Sequence, residues 1–304
     1  MRYTVIKSKT IKAPQQVIFN NIADFNNWQQ WSPWACLDPD MSQNCTRDYL
    51  SWESKLMGIG NMRIINQNDH QINIDLHFIK PFKSQGDINF KLDELPDGST
   101  QVTWKMDSKL PFFLCFFKKM FQVMIGRDFD RGLTRLQYLS ETNKVPVKLE
   151  YIDEPQSIKG FKISGISSSC HMSNIAENMR QSFSILTANI AASEITPLKY
   201  ACFCDKVKIT KEIMNYTAAA IYEGDEVNIK GLINRHIPDH KAIKVVLHGS
   251  YDFMGDAWSG VYTHARGLKL KVNKKVPPYE IYLKGPHNTE NPEDYITEIY
   301  MPVK

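Results

Sequence analysis

The chain has 304 residues, 42% of them hydrophobic and 23% charged, a composition ordinary for a globular protein and a length that makes two domains the default. Its 37 basic and 33 acidic residues leave a net charge of +4. With that balance and no basic run, an electrostatic nucleic-acid binder is disfavoured.

The start, Met1-Arg2-Tyr3-Thr4-Val5-Ile6-Lys7, lacks the apolar core of a signal peptide. Residues Pro14 to Phe25 read as a short helix. The run Trp28-Gln29-Gln30-Trp31-Ser32-Pro33-Trp34 follows, three indoles at a spacing of three, and reads as packing that closes one end of a core. Gly58-Ile59-Gly60 is a turn or bulge candidate. Three runs then alternate apolar with polar residues: Ile72 to Phe78, Ile88 to Leu92 and Val102 to Met106. They predict an antiparallel sheet with one apolar face, with turns at Lys80-Pro81 and Pro96-Asp97-Gly98. Phe90 and Trp104 stand on the apolar faces of these strands. They are candidates for lining a cavity, which the pattern does not separate from a solid core. Leu110 to Phe117 is the greasiest segment. It is far too short to span a bilayer and contains Pro111, so it reads as core or lid packing, with a membrane-touching or partner-binding loop as the alternative. Phe121, Met124, Ile125, Phe129, Leu133 and Leu136 fall at helical spacing and predict a helix from about Phe117 to Ser140.

The tryptophan run with Asp38-Pro39 after it, and the segment Gly126-Arg127-Asp128-Phe129-Asp130-Arg131-Gly132-Leu133, resemble the SRPBCC (START-like) superfamily in its polyketide-cyclase-like branch. The resemblance covers about residues 1–142. It implies a helix-grip domain over residues 1–143, with a deep apolar cavity between sheet and long helix.

Around Glu141 to Glu150 the pattern relaxes, and the domain boundary is expected there. The second half reads as βαββ followed by βαββ. The first unit has strand Ile158 to Ile166, helix Ser173 to Ala191 and strands Leu198 to Cys204 and Asn215 to Tyr222. The second has strand Lys241 to His248, helix Tyr251 to Arg266 and two closing strands. The closing strands each carry Glu-Ile-Tyr, at Glu280-Ile281-Tyr282 and Glu298-Ile299-Tyr300. Side chains alternate across a strand, so Glu280 and Tyr282 oppose Ile281 and Leu283, and Glu298 and Tyr300 oppose Ile299, Met301 and Val303. One face of the pair is apolar enough for helices to cover. The other is expected to offer carboxylates beside phenol rings. Such a duplication also predicts a cleft between two similar walls.

Val245-Val246-Leu247-His248-Gly249-Ser250-Tyr251, Pro278 to Leu283 and the ending Thr297 to Val303 resemble the GyrI-like effector-binding domain over residues 147–304. The resemblance implies binding of amphipathic, often cationic small molecules in an aromatic cleft with a key glutamate. Glu280 occupies the matching position and Glu298 is the second choice. A carboxylate taken from water needs a cation or hydrogen bonds in return, and aromatic rings add cation–π attraction of roughly 0.5–2 kcal/mol each. Tyr282, Tyr300, Tyr216, Tyr222, Phe253 and Trp258 are the candidate rings. For each of them ordinary core packing is equally consistent with the sequence.

The six cysteines are scattered without a CxxC pair, which fits free buried thiols in a reducing cytoplasm. His236 and His240 flank Pro238 and form no HExxH pattern, so no metal is expected. No motif calls for a cofactor either. No helix-turn-helix segment is evident, so direct DNA binding is not expected. A regulator or gyrase as protein partner follows only from the family resemblance. Two functions compete: a binding or sensing protein for hydrophobic or cationic small molecules, related to drug or stress response, and a hydrolase of electrophilic small molecules with Glu280 as general base.

Overall fold

The computed structural model describes residues 2–110, 112–193, 196–222, 229 and 231–304. Pro111, in the greasy run Leu110 to Phe117, lies outside the described residues, as does Met1. The chain divides into two compact units, Met1–Pro146 and Val147–Lys304. Both are α+β and each is built on one large antiparallel sheet.

In the first unit β1 (Arg2–Ile11) is followed by α1 (Gln15–Ile22) and α2 (Trp28–Trp31). Next come β2 (Ser42–Cys45), β3 (Tyr49–Ser54), β4 (Gly58–Asn68), β5 (Gln71–Lys80), β6 (Ser84–Glu94) and β7 (Thr100–Lys109). The long α3 (Lys118–Thr142) closes the unit. The strand order is β1-β7-β6-β5-β4-β3-β2. Alternation buries Ile72, Ile74 and Leu76, then Ile88, Phe90 and Leu92, then Val102, Trp104 and Met106 on one face. Onto that face α3 lays Phe129, Leu133, Leu136 and Leu139 at helical spacing. Asn143, at φ 59°, ends the helix in the left-handed conformation, its N–H bonded to the Leu139 carbonyl at 2.9 Å.

The tryptophan run is fastened to this helix. Trp28 and Trp31 donate their indole N–H groups to the carbonyls of Ile22 and Asn21. Trp34 donates to Asp128, and Arg131 links Asp128 to the Pro33 carbonyl. Gly132 lets the helix come close. A Cβ there would lie 2.7 Å from the Trp104 ring and 3.1 Å from the Pro33 ring. Trp104 stacks on Phe129 at 4.0 Å and meets Trp28, Trp31, Trp34 and Phe90 at 4.8–6.3 Å. Phe90 and Trp104 are thus fully buried within an aromatic cluster.

The second unit contains β8 (Val147–Ile158), β9 (Phe161–His171), α4 (Ile175–Ala191), β10 (Lys199–Lys208), β11 (Ile213–Tyr222), β12 (Ile233–Ile237), β13 (His240–Gly249), α5 (Met254–Gly267), β14 (Tyr279–Lys284) and β15 (Ile296–Val303). The strand order is β12-β9-β11-β10-β14-β15-β13-β8. β10 and β14 are central neighbours, with β11, β9 and β12 outward from β10 and β15, β13 and β8 outward from β14.

Among the described residues the first unit holds seven strands, and the three alternating runs named from sequence fall in β5, β6 and β7. The sequence expectation needs correction in two places. The relaxed stretch after Glu141 turns into β8 at Val147, an edge strand paired with β13. The strand expected from Ile158 is broken by the Lys159-Gly160 turn, and β9 runs on to His171. The bulge expected near Gly58-Ile59-Gly60 is present: Gly58 takes φ 80°, and the β4–β5 register shifts between Ile59 and Gly60.

Candidate ligand site around Glu280

β14 is hydrogen-bonded on both edges, to β10 and β15, so the backbone of Glu280 is fixed and its side chain must point to one face. Directly opposed residues share a face. Cys202 stands opposite Glu280 on β10, and Ile299 stands opposite it on β15. Glu298 stands opposite Ile281. The two Glu-Ile-Tyr copies therefore present their glutamates to opposite faces. The expectation of one helix-covered apolar face and one carboxylate face is corrected: the offset in register places one glutamate–tyrosine pair on each side.

The Glu280 face is the one beneath the helices. Leu186 and Ile190 of α4 join Cys202, Cys204, Tyr216, Tyr222 and Tyr282 in one apolar cluster, and Met254 and Trp258 of α5 pack against it. Glu280 is 3% exposed. Its Oε1 accepts the Trp258 indole N–H at 2.6 Å, and its Oε2 accepts the Tyr282 phenol. Among the described residues no lysine, arginine or histidine pairs with it. Burial pushes its pKa above the usual carboxylate range, and the bonds from Tyr282 and Trp258 pull only partly the other way.

Further rings gather around the Tyr282 phenol that bonds this carboxylate. Phe183 of α4 meets Tyr282 edge-on at 5.5 Å. Tyr251, in the turn before α5, lies 5.6 Å from Tyr282 and 4.8 Å from Tyr295. Burial, and then the charge of Glu280, push the phenols of Tyr282 and Tyr251 upward. Burial and that same charge raise the Cys202 thiol well above its ordinary value and Cys204 to about 12, so the thiols add no negative charge. Phe183 and Tyr251 were not singled out as site residues from sequence. Phe183 was legible as one of the α4 residues Ile175, Met179, Phe183, Leu186 and Ile190 at helical spacing.

The other predicted residues take different places. Tyr216 is on the Glu280 face, but its hydroxyl is tied to Ser182 at 2.9 Å and Asn178 at 2.8 Å on α4. Tyr222 is buried on the same face, its hydroxyl without a hydrogen-bond partner among the described residues and pushed by burial up to about 12. Phe253 is fully buried in the turn that opens α5. On the opposite face Glu298 accepts from Lys244 Nζ at 2.5 Å and from the Tyr300 phenol at 2.8 Å. Tyr300 stacks on Tyr279, whose hydroxyl meets His240 at 3.0 Å. The charge of Glu298 is met by Lys244; that of Glu280 is met by no cation among the described residues. Phe90 and Trp104 belong to the core of the first unit. No group of three or more His, Cys, Asp or Glu placed to hold a metal ion occurs among the described residues.

Comparison with known proteins finds a family model, the GyrI-like small molecule binding domain, matching residues 156–304. No curated protein matches the chain. Solved structures similar to it include the cryo-EM structure of the EcmrR–DNA complex in EcmrR-RPo (17% identity, 64% of this chain and 72% of that chain, TM-score 0.43). SAV2435 bound to tetraphenylphosphonium is another (19% identity, 51% and 94%, TM-score 0.39). A START superfamily protein from Mycobacterium smegmatis is a third (17% identity, 46% and 99%, TM-score 0.34). The C-terminal half of the chain, residues 156–304, is a GyrI-like small molecule binding domain.

Proposed function

We propose that the second unit captures amphipathic cationic small molecules, with Glu280 as the counter-charge and Tyr282, Trp258, Tyr251 and Phe183 as the ring wall. One observation carries this reading: a carboxylate 3% exposed, held by two neutral donors and without a cation among the described residues. Desolvating such a charge is expensive, and an incoming cation between aromatic faces repays it. Glu298, with its own lysine, is read as a structural pair. Tyr216, Phe253, Phe90 and Trp104 are read as packing. The outward succession of strands from β10 and β14 supports a duplicated βαββ unit. The grip of α3 on the first sheet supports a helix-grip fold for residues 1–143, and six free cysteines fit a cytoplasmic setting. Any regulatory output would pass through a protein partner.

Hydrolysis with Glu280 as base is the second reading, favoured by its raised pKa, which makes it a stronger base than a free carboxylate. Calorimetric titration with tetraphenylphosphonium, and with triphenylphosphine oxide as a neutral counterpart, separates the readings when paired with an assay on electrophilic esters. Binding predicts micromolar affinity for the cation, much weaker affinity for the neutral compound, loss of about tenfold or more in Glu280→Gln, and no turnover. Turnover that collapses in Glu280→Gln would replace binding with catalysis. Equal affinity for both compounds would remove the carboxylate from recognition.

A further inference from the structure

The segment that opens α3 breaks two local rules at once. Residues 108–127 contain four basic residues, Lys109, Lys118, Lys119 and Arg127, and no aspartate or glutamate. Lys118 and Lys119 are the first residues of α3, whose first turn holds no acid. They lie at the positive end of the helix dipole, where anions belong and cations do not. Neither forms an ion pair among the described residues. At the same time the short helical turn Phe112–Phe117 leaves Phe116 92% and Phe117 49% exposed, with Met124 exposed further along α3. At the same corner of the sheet, Arg2 of β1 stands directly opposite Lys109 of β7, and both are exposed.

Rings left in water beside unmet cations are costly in a free surface and are the composition of an interfacial membrane contact. The rings enter the boundary between headgroups and acyl chains, and the ammonium groups meet lipid phosphates. The departure from helix electrostatics then has a compensating gain outside the fold. We propose that this corner of the first unit docks on an anionic membrane surface. Phe116 and Phe117 enter the interface, and Arg2, Lys109, Lys118 and Lys119 contact headgroup phosphates. An apolar protein groove would satisfy the rings and leave the lysines unmet; charge complementarity selects the anionic bilayer. The contact is peripheral, since no described helix is long and apolar enough to cross a membrane. It is independent of the Glu280 site.

Co-sedimentation of the full chain with vesicles tests the proposal. The protein is expected to pellet with phosphatidylcholine mixed with phosphatidylglycerol, to stay in solution with phosphatidylcholine alone, and to be released by high salt. The Phe116→Ser/Phe117→Ser pair and the Lys118→Glu/Lys119→Glu pair should each weaken binding by about tenfold or more, with unchanged circular dichroism. Phe116→Trp should show a blue shift of emission on anionic vesicles beyond that of the parent protein. Equal binding to both vesicle types, insensitivity to both double substitutions, or an unshifted Phe116→Trp would overturn it. So would capture of an acidic protein by this patch while vesicles are ignored.

Discussion

At the scale of single residues, Glu280 gives up water for two donors and, among the described residues, no counter-ion. Each donor lowers its pKa against the larger effect of burial, so removing either one raises it further. Trp258→Phe and Tyr282→Phe keep a ring and delete one bond to a charged acceptor, a loss of about 1.5–3 kcal/mol. Both variants are expected to bind a lipophilic cation more weakly at neutral pH, and to lose binding at a higher pH than the parent as the solution is acidified. Titration calorimetry over a pH series checks this; affinities unchanged from the parent would count against it. Stability carries the same signature. A carboxyl whose pKa is higher folded than unfolded makes the folded state the better proton binder. Stability attributable to Glu280 is therefore greatest at low pH and declines as pH rises from the unfolded pKa through the folded one. The parent protein should gain on Glu280→Gln as pH falls through that window in urea denaturation. A constant difference between the two would contradict a raised pKa.

At the scale of elements, tight packing governs how α3 meets the first sheet. Gly132 faces the Trp104 ring and Pro33, and neither neighbour is a flexible side-chain end. Gly132→Ala should therefore cost about 1–3 kcal/mol by overpacking, although alanine is the better helix former, and thermal denaturation measures it. A neutral or stabilising outcome would mean that the aromatic cluster yields easily. What was legible in the sequence follows the same logic. β5, β6 and β7 could be read because each alternates cleanly. β1 could not, because Ile6 points outward between buried Val5 and half-buried Lys7. β8 and β12 are edge strands rich in polar residues, and β8 carries Pro155, so their periodicity is weak. α3 and α5 were read to within a few residues of their ends, because long amphipathic periods average out local noise. The two Glu-Ile-Tyr copies were found, but not their faces. Alternation within a strand says which residues oppose one another; only the pairing of Glu280 with Ile299 says that the copies look away from each other.

At the scale of the whole molecule, each unit has its own sheet and its own core, so occupancy of the Glu280 site should register within the second unit. A cation at a hundred times its dissociation constant stabilises the state that binds it by about 2.7 kcal/mol. Hydrogen exchange should then slow in α4, α5 and β14 and stay unchanged in β5, β6 and β7. Slowing confined to the first unit would move the site away from Glu280. The most direct test is the titration of Glu280 itself, followed by the NMR signal of its side-chain carboxyl carbon with Glu280→Gln to assign it. The predicted result is a midpoint above that of a glutamate in a short unfolded peptide, moving down when tetraphenylphosphonium is added, because a bound cation favours the ionised form. A midpoint equal to that of the peptide and indifferent to the cation would contradict the account.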